Sequence, residues 1–149
     1  MNDTETLSTP APVTAPATAP VTAGMTAVVE GADASGVRDA RRAAQAFAEQ
    51  LHPVRDPALA DTLVLVVCEL VTNALRHGGG RYRLELSAAP GSVTVSVSDP
   101  SPVRPRERTP DLNGESGGFG WPMIRLLTRH ITITSGPGGG KTIRARLSR

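Results

Sequence analysis

Glu69 and Asn73 stand four residues apart in the run Glu69-Leu70-Val71-Thr72-Asn73-Ala74-Leu75-Arg76-His77-Gly78. Residues four apart stack on one face of a helix, roughly 6 Å apart along its axis. A carboxylate in that position can accept a proton. The carboxamide oxygen one turn on suits a hard cation. At the edge of a pocket, the two could handle a nucleotide and its metal ion. The spacing alone is a weak signal, since most such pairs only form a polar helix stripe. Its weight comes from three downstream features in order: an aspartate ending a strand (Asp99), a long irregular loop (residues 100–117), and a glycine turn opening a helix (Gly118-Phe119-Gly120).

The elements that must position these groups can be read from periodicity. A short edge strand is expected over residues 25–30. A helix over 35–51 presents Val37, Ala40, Ala44, Phe47 and Leu51 on one stripe, with Ser35 as its N-cap. The second helix starts near Asp56-Pro57 and runs to His77. Its core stripe is Leu59, Leu63, Val66, Leu70 and Ala74, and Gly78-Gly79-Gly80 stops it. Two strands come next, joined by a turn at Pro90-Gly91. Tyr82, Leu84, Leu86 and Ala88 face the core from one, and Val93, Val95 and Val97 from the other. Asp99 continues the odd-numbered series, so its carboxylate belongs to the core face and needs a partner.

The segment 100–117 is rich in Pro and Gly, holds Arg104, Arg106 and Arg108, and has no periodicity. Pro122 suits the first turn of a third helix, with Ile124, Leu127 and Met123 on its apolar side. Strands beginning at Ile131 and ending at Leu147 close the chain, joined by a turn over 136–140. The order of elements implies an α+β fold. It is a two-layer sandwich with a mixed, mostly antiparallel sheet and helices on one face.

The bulk properties narrow the class. With 149 residues the chain has room for one domain. Residues 1–24 are filled with Pro, Thr, Ala and Val and are expected to be a disordered tail, leaving 25–149 as the domain. Net charge is +2 and aromatics are 3%, so neither a basic block nor a stacking platform argues for nucleic acid. The single cysteine, Cys68, sits in an apolar helix run and cannot form an internal disulfide. No stretch approaches a membrane span, and no signal peptide is visible. A cytoplasmic protein is the expectation.

The segment Gly136-Pro137-Gly138-Gly139-Gly140-Lys141-Thr142 imitates a phosphate-binding P-loop. In a P-loop a glycine must stand five positions before Gly140, and that position holds Ser135. A strand pattern continues from Lys141 where a P-loop requires a helix. A hairpin turn accounts for these glycines.

As an ordered set, the motifs resemble the ATP-binding fold shared by gyrase, the Hsp90 chaperone, histidine kinases and the mismatch-repair ATPase. Within that group they look most like the bacterial anti-sigma-factor serine kinases and short actinobacterial regulators. The resemblance covers about residues 26–147. It implies that Glu69-Leu-Val-Thr-Asn73 is the N box, with Asn73 holding Mg²⁺ and Glu69 acting as general base. It implies that Asp99 accepts the adenine amine, that Gly118 and Gly120 meet the phosphates, and that 100–117 is an ATP lid from which Arg104 could reach the transferring phosphoryl group. Where several relatives carry a threonine that assists the adenine pocket through water, this chain has Lys141. By strand parity Thr142 faces the other side and does not inherit that role.

The resemblance implies an ATP- and Mg²⁺-dependent serine/threonine kinase acting on an anti-anti-sigma-like protein, with a sigma factor as competing client and a homodimer as a fitting assembly. The alternative is an ATP-binding interaction module without phosphotransfer. A histidine kinase is disfavoured, because the sequence shows no helical hairpin carrying a phosphorylated His.

Overall fold

The structure, a computed structural model, describes residues 26–33, 35–51, 56–105 and 120–149. The elements run β1 (Thr26–Gly31), α1 (Ser35–Glu49), α2 (Leu59–His77), β2 (Tyr82–Ala89), β3 (Ser92–Asp99), α3 (Gly120–Leu127), β4 (His130–Ser135) and β5 (Lys141–Ser148). The five strands form one sheet in the order β1-β2-β3-β5-β4. Each of the four pairings is antiparallel. The last strand thus lies inside the sheet, between β3 and β4, and β1 and β4 are the edges.

Side-chain alternation decides which face is covered. Tyr82, Leu84, Leu86 and Ala88 of β2, Val93, Val95 and Val97 of β3, and Ile143, Ala145 and Leu147 of β5 are all buried. They meet the stripe Leu59, Leu63, Val66, Leu70 and Ala74 of α2, likewise buried. Burial of this contiguous apolar surface is the main favourable contribution to folding. The opposite face carries Thr, Ser, Arg and Glu, including a hydroxyl pair, Ser98 Oγ and Thr142 Oγ1, 2.7 Å apart. Thr142 therefore faces away from the helices, as its parity requires.

Helix α1 places Ala40, Ala44 and Phe47 against the core, with Val37 half-buried. Leu51 lies beyond the helix end yet is buried. The cap differs from expectation: Asp33 Oδ1 accepts from the Ser35 N–H at 3.0 Å and from the Ser35 hydroxyl at 2.6 Å. An ionised carboxylate two residues upstream is a stronger acceptor for the unpaired amides than the serine hydroxyl itself. These hydrogen bonds hold the exposed Asp33 carboxyl below the usual range. Just ahead of α2, Asp56 Oδ1 accepts the Ala58 N–H at 2.9 Å.

The turn after α2 needs glycine where the backbone turns left-handed. Gly78 donates its N–H to Ala74 O at 3.0 Å, and Gly79 and Gly80 take positive φ of 99° and 85°. The segment 136–140 is a turn with a short 3₁₀ piece leading into β5, which excludes a P-loop. In α3, Ile124 is fully buried, whereas Leu127 is 36% exposed and Leu126 is 86% exposed, so its apolar side is narrower than expected. His52-Pro53, Met25, the proposed tail and residues 106–119 lie outside the described residues.

Candidate functional site

Helix α2 sets the first two groups. Cys68, Leu70, Val71 and Ala74 hold the helix against the core. Glu69 and Asn73 sit beside that stripe and are half-buried, on one helix face. Partial burial strips water from the Glu69 carboxylate and pushes its pKa above the ordinary glutamate value. The nearby positive charge of Arg76 opposes the shift but does not cancel it. The result is a carboxylate with raised proton affinity beside a neutral oxygen donor. His77, one turn further, is exposed.

Strand β3 delivers Asp99 to the end of α2. The Asp99 side chain is only 3% exposed, and its partner is Lys141, whose Nζ donates to Asp99 Oδ1 at 2.9 Å. Lys141 is 6% exposed. The pairing arises from register: Asp99 and Lys141 are opposed in the β3–β5 ladder and both point toward the helices. The Ser101 N–H also donates to Oδ1, at 2.9 Å, and Lys141 Nζ makes a second hydrogen bond to Ser101 O at 3.2 Å. Asp99 Oδ2 faces Gly78. A Cβ on Gly78 would stand 2.5 Å from it, so the carboxylate fits only against a glycine. Gly140 is similarly pressed against the Asp99 carbonyl, and Gly79 lies under Pro100.

The structure thus brings Asp99 to the C-terminal end of the helix that carries Glu69 and Asn73. Gly120 begins α3, which packs beside α2. Gly118 lies outside the described residues. Arg104 is exposed on the segment after Asp99, and no described contact joins it to Glu69 or Asn73. Trp121 is half-buried and packs against the core.

Lys141 is the group that sequence reasoning missed as a partner. The partner Asp99 needed was expected from a bound base, but the chain supplies one itself. The signal was present, because Lys141 begins the odd-numbered series Ile143, Ala145 and Leu147. A lysine on a core face beside a core-facing aspartate is an ion pair waiting to form.

An open groove of about 580 Å³ also touches Asp99. It is lined by Glu30, Arg81, Arg83, Ser98 and Pro100 among others, at the β1–β2 side, and reaches neither Glu69 nor Asn73. The candidate site is instead the α2–β3 junction, where Asp99 meets Gly78 at the end of the helix that carries Glu69 and Asn73. Among the described residues, no cluster of three or more His, Cys, Asp or Glu side chains could hold a metal, and no helix is long and apolar enough to cross a membrane.

The comparisons with known proteins agree with this placement of elements. No protein of curated function matches the chain. The crystal structure of the RsbU and RsbW domains of Rv1364c from Mycobacterium tuberculosis is similar in fold, with a TM-score of 0.57 and 20% sequence identity. The match covers 83% of this chain and 33% of that one, so this chain spans about a third of the length of that protein. Residues 31–147, from the end of β1 to the end of β5, match the model of the histidine kinase-like ATPase domain. The chain belongs to the histidine kinase-like ATPase domain family, a fold built to bind ATP.

Proposed function

We propose that this protein is an ATP-dependent protein serine/threonine kinase of the anti-sigma-factor type. It would phosphorylate a small antagonist protein and so control transcription. The observation that carries the reading is the half-buried Glu69 carboxylate, its proton affinity raised by burial, one helical turn from Asn73. A general base works best when its pKa is drawn toward the operating pH, and burial does that here.

Two features favour ATP as the phosphoryl donor. Asp99 Oδ2 is a buried acceptor with no donor among the described residues, and it lies close to Gly78. A buried lone pair of this kind calls for an N–H. The adenine amine would supply it. The Asn73 side-chain oxygen is a hard donor that would hold a Mg²⁺ ion arriving with the nucleotide. When bound, Mg²⁺ would offset the charge on the phosphates.

In this reading Asn73 orients the phosphates and Asp99 anchors the base. Glu69 Oε takes the proton from a serine or threonine hydroxyl of the partner. The hydroxyl oxygen forms its bond to the γ-phosphorus as the bond to the β–γ bridging oxygen breaks, and ADP leaves with that electron pair. Glycines 118 and 120 would offer amides to the phosphates at the start of α3. Arg104 would stabilise the transferring phosphoryl group. An anti-anti-sigma-like protein is the proposed substrate, with a sigma factor as competing client and a homodimer as the proposed assembly.

The test is Glu69→Ala with radiolabelled ATP and a small anti-anti-sigma-like protein from the same source. ATP binding should persist and phosphate transfer should fall by about two orders of magnitude or more. Undiminished transfer would remove Glu69 as the base. ATP binding by the wild type with no transfer to any such substrate would leave a binding module that acts by shape.

A further inference from the structure

Among the described residues, the Asp99–Lys141 pair leaves two hydrogen-bonding positions without a partner. Asp99 Oδ1 is saturated by Lys141 Nζ and the Ser101 N–H, which leaves Oδ2. The ammonium of Lys141 has three N–H donors, and two are committed, to Asp99 Oδ1 and Ser101 O. The third has no acceptor among the described residues. Both side chains are more than nine-tenths buried. A buried donor and a buried acceptor left open side by side are costly unless a ligand completes them.

The chemistry that completes them is an edge carrying a donor next to an acceptor. The Watson–Crick edge of adenine has this form, with N6–H beside N1. We propose that Lys141 is a second base-reading residue, donating from Nζ to adenine N1 while Asp99 Oδ2 accepts from the N6 amine. This rests on the reading of Asp99 as the adenine anchor. It assigns Lys141 a direct, charged contact with the base. Charge-assisted hydrogen bonds are about twice as strong as neutral ones. The ion pair also fixes both groups before the ligand arrives. Its attachment to Ser101 couples base binding to the first residues of the segment after β3.

The experiment compares ATP, 1-deaza-ATP (which lacks the N1 acceptor) and purine riboside triphosphate (which lacks the amine) by calorimetry. The wild-type protein and Lys141→Met are titrated in parallel. Wild type should bind 1-deaza-ATP about ten- to a hundredfold more weakly than ATP. Lys141→Met should lose most of that preference while still preferring ATP over purine riboside triphosphate. A preference for ATP over 1-deaza-ATP that survives in Lys141→Met would overturn the proposal. So would tighter ATP binding by that variant, which would make Lys141 a competitor for Asp99.

Should Lys141→Met fail to fold, the ¹⁵Nζ resonance of Lys141 in the wild type decides. It should shift clearly more with ATP than with 1-deaza-ATP, which keeps only the amine contact to Asp99, and an equal shift with both would refute the contact. Absence of any ATP binding by the wild type would instead bring down the underlying assignment of Asp99, so the two failures are distinct.

Discussion

At the scale of single residues, the site is governed by what burial does to charge. Glu69 has a folded-state pKa above that of the unfolded chain. Between those two values the native state holds the extra proton. The stability contribution of Glu69 is thus fully present at low pH and lost as pH rises through the folded pKa. Glu69→Gln keeps the shape and removes the ionisation. The variant is expected to match wild type in thermal midpoint below the ordinary glutamate range and to melt higher at neutral pH. Because the group is half exposed, solvent screening keeps the difference small. Thermal melts on either side of the folded pKa check the sign. By the same argument, the acid limb of phosphate transfer should lie at higher pH than an ordinary glutamate base would give.

The Asp99–Lys141 pair behaves differently, because each partner is buried with the other. Removal of Lys141 alone strands a carboxylate that is 3% exposed. Urea unfolding of Lys141→Met should show a loss of about 3–5 kcal/mol. Asp99→Leu/Lys141→Met, which removes both charges, should be considerably less destabilised. Gly78 belongs to this unit. Gly78→Ala would bring a methyl carbon to 2.5 Å from Asp99 Oδ2, so the carboxylate or the helix end must shift. The expected cost is about 1–3 kcal/mol in stability, with weaker ATP binding measured alongside.

At the scale of elements, parity carried most of the sequence reading. The alternation in β2, β3 and β5 located the covered face, put Asp99 on it and put Thr142 on the other, and the structure agrees at each position. The stripe of α2 was equally clear, since its helix is long and apolar. Helix ends were less legible. Ser35 looks like a cap by residue type, but Asp33 holds that role because a carboxylate competes better for the first amides. Asp33→Ala is expected to lower the chemical-denaturation midpoint. Ser35→Ala, which leaves the Asp33 contact with the backbone amide, should lower it less. Helix α3 was hardest, since among the described side chains of this short helix only Ile124 is fully buried and the pattern cannot reveal that Leu126 and Leu127 face out.

At the scale of the whole molecule, the resemblance seen in the motifs and the family match describe nearly the same span of chain. Strand order was not legible from the sequence. Placing β5 between β3 and β4 depends on long-range pairing, and no local pattern encodes it. That placement is what opposes Lys141 to Asp99. The ion pair at the site is therefore a product of topology, though both residues announced their faces locally. Most of the proposed lid, the Gly118 amide and the tail lie outside the described residues, and the roles of the first two rest on the resemblance alone.

The central claim is that Glu69, Asn73 and Asp99 surround a nucleotide. Calorimetric titration of the wild-type protein with ATP, with and without Mg²⁺, tests it most directly, with Asp99→Asn as the companion. The account predicts micromolar binding that Mg²⁺ strengthens and that Asp99→Asn weakens by about tenfold or more. Wild-type protein that binds no ATP in the presence of Mg²⁺, or an Asp99→Asn variant that binds it equally well, would contradict the account.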